Sequence, residues 1–187
     1  MDTDHQAPAA AGMEPSIDTA RLRLRPLRPA DADRVAEILS HPDVGWMIRQ
    51  IPLPYPPDEA REWLDTHAAE RASGGAYRFG AVLEGRLIGC ADIDGIENRA
   101  GELGYWFDPV CWGRGYAFEA AAAVVRFAFA DLGLRRITAT HAHDNPRSGR
   151  LLRKLGFRET GRRAAWSNSR RQPIEQVRYA LSGGRLA

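Results

Sequence analysis

Residues 101–132 read GELGYWFDPVCWGRGYAFEAAAAVVRFAFADL, and this stretch constrains the fold more than any other. A strand-like run to Phe107 is followed by two glycines one residue apart, Gly113 and Gly115, and then by an alanine-rich segment. From Tyr116 to about Leu132 that segment predicts a helix, with Phe118, Ala121, Ala122, Val125, Phe129 and Leu132 on one stripe and Gly133 placed to cap it. A second strand-like run, RRITATHAHD, comes next. A strand, a crossing helix and a strand in this order lay the two strands parallel in one sheet.

The other segments surround that unit with antiparallel pieces. ARLRLRPLRP alternates apolar and basic residues and predicts a half-buried strand ended by Pro29, while ADADRVAEILSH spaces Val35, Ile38 and Leu39 as a helix does. VGWMIRQIPLPYPP carries four prolines, which predicts a loop, and DEAREWLDTHAAERAS a helix stopped at Gly74-Gly75. YRFGAVLEGRLIGCADIDGI predicts two strands turning at Glu84-Gly85. NPRSGRLLRKLGF predicts a short helix capped by Asn145, started by Pro146 and ended by Gly156. RETGRRAAW and IEQVRYALS read as two last strands around a polar loop. The expectation is an α+β domain with a mixed, mostly antiparallel sheet of about seven strands and about four helices, spanning residues 16–182 between a flexible arm over 1–15 and a loose tail over 183–187.

Charge and cysteine content exclude several classes. A net charge of +2 over 187 residues is too small for a surface built to neutralise nucleic acid or an anionic membrane. Lys154 is the only lysine among 26 basic residues. No apolar run approaches the ~18 residues of a membrane span, and the N-terminus lacks the basic and apolar regions of a secretion signal. Cys90 and Cys111 are spaced for neither zinc nor a disulfide framework. The chain reads as cytoplasmic, with no partner in nucleic acid or membrane and no metal.

Glycines ahead of a helix let a ligand come close to unpaired N–H groups, and phosphate is the natural guest. A Walker loop would need Gly-Lys-Ser/Thr here, and a dinucleotide fingerprint a third glycine where Phe118 stands. A plain strand-to-helix turn is the remaining alternative. The combination of GELGYWFDPVCWGRGYAFEA with HDNPRSGRLLRKLGFRETG resembles the acetyl-CoA signature of the GNAT superfamily of N-acetyltransferases, and within it the ribosomal-protein N-terminal acetyltransferase (RimJ/RimL-like) branch. TARLRLRPLRPADA and LPYPPDEAREWL resemble that branch too, so the likeness runs from about Thr19 to Leu181.

The resemblance implies a GNAT fold whose parallel strands splay apart, and acetyl-CoA as the donor. It implies that backbone amides from Val110 to Gly115 hold the pyrophosphate, with Trp106, Phe107, Asp108, Val110, Trp112, Gly113, Arg114, Gly115, Tyr116, Ala117, Asn145 and Ser148 forming the cofactor site. Val110 departs from the superfamily, which has Gln or Arg there. Because binding runs through the main chain, the cofactor is expected to bind regardless.

Acetyl transfer to an amine needs a neutral nitrogen, a polarised carbonyl and a protonated leaving group. By resemblance, a backbone N–H of Gly104–Phe107 polarises the carbonyl and Ser148 helps protonate the departing sulfur. Ser148 could equally cap its own helix. Glu102 is the candidate base, directly or through water, against the alternative of a solvated strand carboxylate. His141 and His143 read as structural or substrate-lining, without a third metal ligand. Trp46, Ile51, Leu53 and Tyr55 in the proline-rich loop are expected to line the acceptor site, although the same side chains would also bury against a second subunit, leaving a homodimer open. The acceptor reads as a primary amine, most directly a protein or peptide α-amine by direct attack in a ternary complex. A small-molecule amine and a non-catalytic acyl-CoA-binding module remain alternatives.

Overall fold

The computed structural model describes residues 14–183. Its strands are β1 (Ile17–Asp18), β2 (Arg23–Pro26), β3 (Tyr77–Leu83), β4 (Arg86–Glu97), β5 (Ala100–Phe107), β6 (Arg136–Ala142), β7 (Arg158–Ser167) and β8 (Gln172–Ser182). Its helices are α1 (Ala32–Ser40), α2 (Pro42–Gly45), α3 (Pro57–Ala72), α4 (Tyr116–Ala130) and α5 (Pro146–Lys154). The eight strands form one sheet in the order β1-β2-β3-β4-β5-β6-β8-β7. All neighbours are antiparallel except β5 and β6, which α4 connects, so the crossing helix does set the parallel pair.

Differences from the sequence reading are local. The extra strand is the two-residue β1, and α2 is a single turn that His41 caps through Asp43 N–H. Neither is long enough to carry a periodic pattern. Of the expected arm (1–15) and tail (183–187), residues 1–13 and 184–187 lie outside the described residues, while Glu14 pairs with Arg71 and the Gly183 N–H donates to Arg135 O. On α4 the fully buried side chains are Ala120, Ala121, Ala123, Val124, Val125 and Ala128, whereas Phe118, Ala122 and Phe129, and Leu132 just past the helix end, are half-buried. The helix is therefore turned relative to the expected stripe: the small residues meet the sheet and the large rings lie at its flank, which lets backbone and sheet approach closely.

Two apolar clusters sit on opposite faces of the sheet. One joins α4 and α5 to residues such as Phe79, Ala91, Ile93, Leu103 and Ile137. The other joins α1 and α3 to Leu27, Leu87 and Cys90. Successive strand residues face opposite ways, so Ile93 and Leu103 belong to the α4 face while Cys90, Asp92, Asp94, Glu102 and Gly104 belong to the α1–α3 face.

Candidate active site

β5 and β6 are paired only at Ala100–Arg136, Gly101–Ile137 and Glu102–Thr138. Beyond that point β5 runs on to Phe107 and β6 to Ala142 without pairing to each other. β5 keeps β4 along its other edge, as far as Gly89–Phe107. The result is a wedge that opens the sheet between its two faces and leaves one edge of residues 103–107 with free backbone groups.

On the α4 face, the loop from Asp108 to Gly115 closes the wedge. Gly113 (φ +78°) and Gly115 (φ +83°) take left-handed backbone conformations, and a β-carbon at Gly113 would meet open space. Among the described residues, the N–H groups of 113–118 find no intrachain acceptor, and α4 begins immediately there. Bare donors, a helix N-terminus and nearby Arg114, Arg147 and Lys154 fit a polyphosphate ester. Val110 is 67% exposed and leaves the loop open. Arg21 holds this loop from below: its guanidinium donates to Arg114 O (2.9 Å) and Glu119 Oε2 (2.7 Å), and Thr19 donates to Glu119 Oε1 (2.6 Å). Burial pushes the Glu119 carboxyl up, but the bonds from Thr19 and Arg21 outweigh it and hold the group below its usual range. The sequence reading missed this brace because its parts lie almost a hundred residues apart.

Three expected cofactor residues act differently from the expectation through their side chains. Asp108 is buried, pairs with Arg34, and accepts from its own loop at Val110 N–H (3.1 Å). Phe107 is core, and its carbonyl accepts from the Trp112 indole (2.8 Å). The ring of Tyr116 carries the Arg21 guanidinium at 4.4 Å from its centroid. These side chains shape the loop. Arg147 lies over Trp112 at 4.9 Å. Ala117 stands half-buried in the first turn of α4.

Ser148 stands at the wedge. Asn145 caps α5, its Oδ1 accepting from Ser148 N–H at 3.2 Å. The Ser148 hydroxyl is thereby left for another partner, and it meets the Tyr105 hydroxyl at 2.7 Å. Burial raises the Tyr105 phenol to about 12, against the pull of Ser148, so Tyr105 stays protonated. Tyr105 was not singled out from sequence as a site residue, although it stands inside the GYW motif.

On the opposite face the wedge opens into a cleft of about 1100 Å³. Ile51 and Tyr55 of the proline-rich loop, Trp63 of α3, Trp106 of β5, and His141 all line it. Trp46 and Leu53 do not. Trp46 is 41% exposed under the Arg170 guanidinium, 5.0 Å from the ring, and Leu53 packs against α2 where Gly45 leaves it room. Tyr55 is also structural, since its backbone N–H and C=O bond the Ser40 hydroxyl at 3.0 Å each. The loop is fixed from the far side by the β7–β8 turn: Asn168 bonds the carbonyls of Arg49 (2.7 Å) and Gln50 (2.8 Å), and Arg170 that of Trp46 (2.9 Å). Arg170 is itself held by Asp144 at 2.8 and 3.0 Å.

Cleft polarity is one-sided. Among the described residues, Glu59, Glu62, Asp92, Asp94 and Glu102 line it, against Arg49 as the one arginine and no lysine. Glu102 is exposed and accepts from the Thr140 hydroxyl at 2.9 Å. His141 is buried and stacked on Tyr179, whereas His143 falls beyond the end of β6, so the two are not paired on one strand face.

Comparison with known proteins agrees with this architecture. The acetyltransferase (GNAT) domain family matches residues 21–158. The N-acetyltransferase YoaA of Bacillus subtilis is 33% identical over 157 residues, 80% of this chain and 86% of that protein. The [ribosomal protein uS5]-alanine N-acetyltransferase of Escherichia coli is 34% identical over 93 residues, 47% of this chain and 48% of that protein. Among solved structures, Mycobacterium smegmatis RimJ in complex with CoA-disulfide superposes with a TM-score of 0.80 at 22% identity, covering 91% of this chain and 88% of the other. The chain belongs to the GNAT acetyltransferase family, and it is an N-acetyltransferase by that membership.

Proposed function

We infer that the protein transfers an acetyl group from acetyl-CoA to the α-amine of a protein or peptide N-terminus. The observation that carries the acceptor assignment is the cleft. At about 1100 Å³ it is at or above the upper end of small-molecule pockets, and it reaches from the β5–β6 wedge outward between α3 and the pinned loop, as an extended chain end requires. Relatedness to a ribosomal-protein alanine N-acetyltransferase supports the same acceptor.

Bound acetyl-CoA supplies a thioester carbonyl as the acyl source. The N–H groups of 113–118 hold its phosphates, and the free edge of residues 103–107 offers backbone partners for the amide-bearing arm and an N–H to polarise the carbonyl. The Ser148 hydroxyl, hydrogen-bonded to Tyr105, delivers a proton to the departing sulfur. Carboxylates in the cleft attract the incoming ammonium. The same acidity favours a second acceptor, a small polycationic amine.

Thiol release from acetyl-CoA, followed across peptide N-termini, polyamines and free amino acids, tests the assignment. Turnover is expected with peptides. Turnover confined to small amines would overturn the peptide reading and leave the donor side untouched.

A further inference from the structure

Of the five carboxyls that line the cleft, Asp92 is the buried one. Asp92 lies midway along β4 with Gly104 of β5 as its register partner, and its side chain lines the cleft while only 7% exposed. A buried carboxylate is ordinarily matched by a guanidinium or by several donors. The guanidinium on the neighbouring strand, Arg78 of β3, is instead held by Glu70 and by Asp94, at 3.1 Å from Asp94 Oδ1. Asp92 receives the Cys90 thiol, 3.7 Å from Oδ2, and the pull of the Gly104 N–H. A carboxylate can accept about four hydrogen bonds, so capacity remains for a guest. The carboxyl's own place depends on Gly104, where a β-carbon would run into Asp92 Oδ1, and its open side is the cleft that it lines. Trp106, two residues along β5, pairs in register with Cys90, where β5 no longer pairs with β6. The carboxyl thus sits beside the wedge where donor and acceptor meet.

We propose that Asp92 is a catalytic residue, the proton acceptor for the amine that enters the cleft. This rests on the acetyl-transfer reading but on no particular acceptor. An incoming ammonium gives one proton to Asp92. Its nitrogen then bonds the acyl carbon as the carbon–sulfur bond breaks, the second nitrogen proton reaches the sulfur through the Ser148 hydroxyl, and Asp92 returns its proton to solvent. Glu102 fits the task less well, being exposed and bonded to Thr140.

The charge environment is consistent with that role. Burial first, then the Asp94 charge, push the Asp92 carboxyl up to about 7, against Arg78, the Cys90 thiol and the Gly104 N–H. Facing the same space are Glu102 and Tyr105 from β5, Glu59 and Glu62 from α3, Tyr55 from the loop, and His141 from β6. Glu70 and His67 of α3 act on the far side of Arg78. A base that titrates near neutrality is well matched to an α-amine near 8.

The test is Asp92→Asn, assayed with whichever amine the wild type acetylates. Turnover should fall about a hundredfold with acetyl-CoA KM and melting temperature little changed. The loss should shrink for a hydrazide or aminooxy acceptor, which is already neutral at pH 7. In Asp94→Asn the acid limb of the rate profile should move to lower pH, because a neighbouring negative charge is gone and Arg78 is freed. Carbon-13 titration of aspartate carboxyls, needing no acceptor, should show one signal absent from Asp92→Asn that titrates near neutrality. Full activity in Asp92→Asn, a loss explained by unfolding, a defect indifferent to acceptor basicity, an acid limb that does not move in Asp94→Asn, or an Asp92 carboxyl that titrates near 4 would overturn the proposal. Failure of the wild type on every amine would instead sink the functional assignment, and the carboxyl titration would still decide the state of Asp92.

Discussion

The donor loop and the acceptor cleft flank the same wedge but are built on opposite plans. The loop between β5 and α4 is continuous in sequence and presents backbone: left-handed glycines, unpaired N–H groups and a helix start. The cleft is discontinuous and presents side chains, drawn from the proline-rich loop, α3, β4, β5 and β6. A phosphate is alike in every donor molecule, so main-chain recognition suffices for it. An acceptor varies, and only side chains vary with it.

Gly115→Val should strike hardest. At φ +83° a β-branched residue is strained, and its β-carbon would crowd the Arg21 guanidinium, 3.3 Å away, that braces the loop, so the row of loop N–H groups would be displaced. Each charge-assisted hydrogen bond lost is worth about 1.5–3 kcal/mol, so acetyl-CoA affinity should fall about ten- to a hundredfold by calorimetry. Unchanged affinity in a folded variant would break the comparison on the donor side.

Ser148→Ala and Tyr105→Phe probe the junction of the two regions. Because Asn145 already caps α5, neither change removes a cap, and both should lower turnover, by up to about a hundredfold for Ser148→Ala, with little change in cofactor binding. The double variant should lose less than the two singles combined, since they share one hydrogen bond. Asn145→Ala is the structural control, expected to cost about 1 kcal/mol of stability.

These contrasts explain what was legible in the sequence. Strand–glycine–helix–strand fixes connectivity locally, so the parallel β5–β6 pair and the two ends of α5 at Asn145 and Gly156 could be read directly. The cleft could not, because proximity there is set by packing. Asp92 looks like any polar strand residue until Gly104 and the β4–β5 register place it, and Arg170 reaches Trp46 from across the chain. Trp46 and Leu53 are expected in the cleft from the loop's apolar content and its likeness to the family's acceptor wall, and neither says which way each side chain turns.

The proline-rich loop can separate wall from support. Ile51 lines the cleft and Leu53 packs on α2. Ile51→Ala should raise acceptor KM about four- to fifteenfold, what one or two methylenes of apolar contact are worth at about 0.8 kcal/mol each, at constant acetyl-CoA affinity. Leu53→Ala should lower the melting temperature and leave acceptor KM alone. The reverse pattern would show that the loop turns its other face to the acceptor.

The smallest effect expected comes from behind the cleft wall. His67 of α3 is buried edge-on against Trp63, and neither ring nitrogen has a partner among the described residues. Burial first, then the charge of Arg78, lower it to about 4, with Glu70 opposing. The sign follows from linkage: the folded protein resists protonating a group that the unfolded chain protonates near 6.5, so this contribution is complete above pH 6.5 and is lost as pH falls from there towards 4. Because α3 forms the outer wall of the cleft and has no contact with the glycine loop through His67, acid should loosen the acceptor side before the donor side. Hydrogen exchange of α3 amides, compared with those of α4 between pH 7 and 5, reads this directly. His67→Phe keeps a ring against Trp63 without the titrating group, and it should flatten the pH dependence of α3 while leaving that of α4 as it was. Equal acid sensitivity of the two helices in the wild type, or an α3 profile unmoved in His67→Phe, would place the acid response elsewhere in the fold.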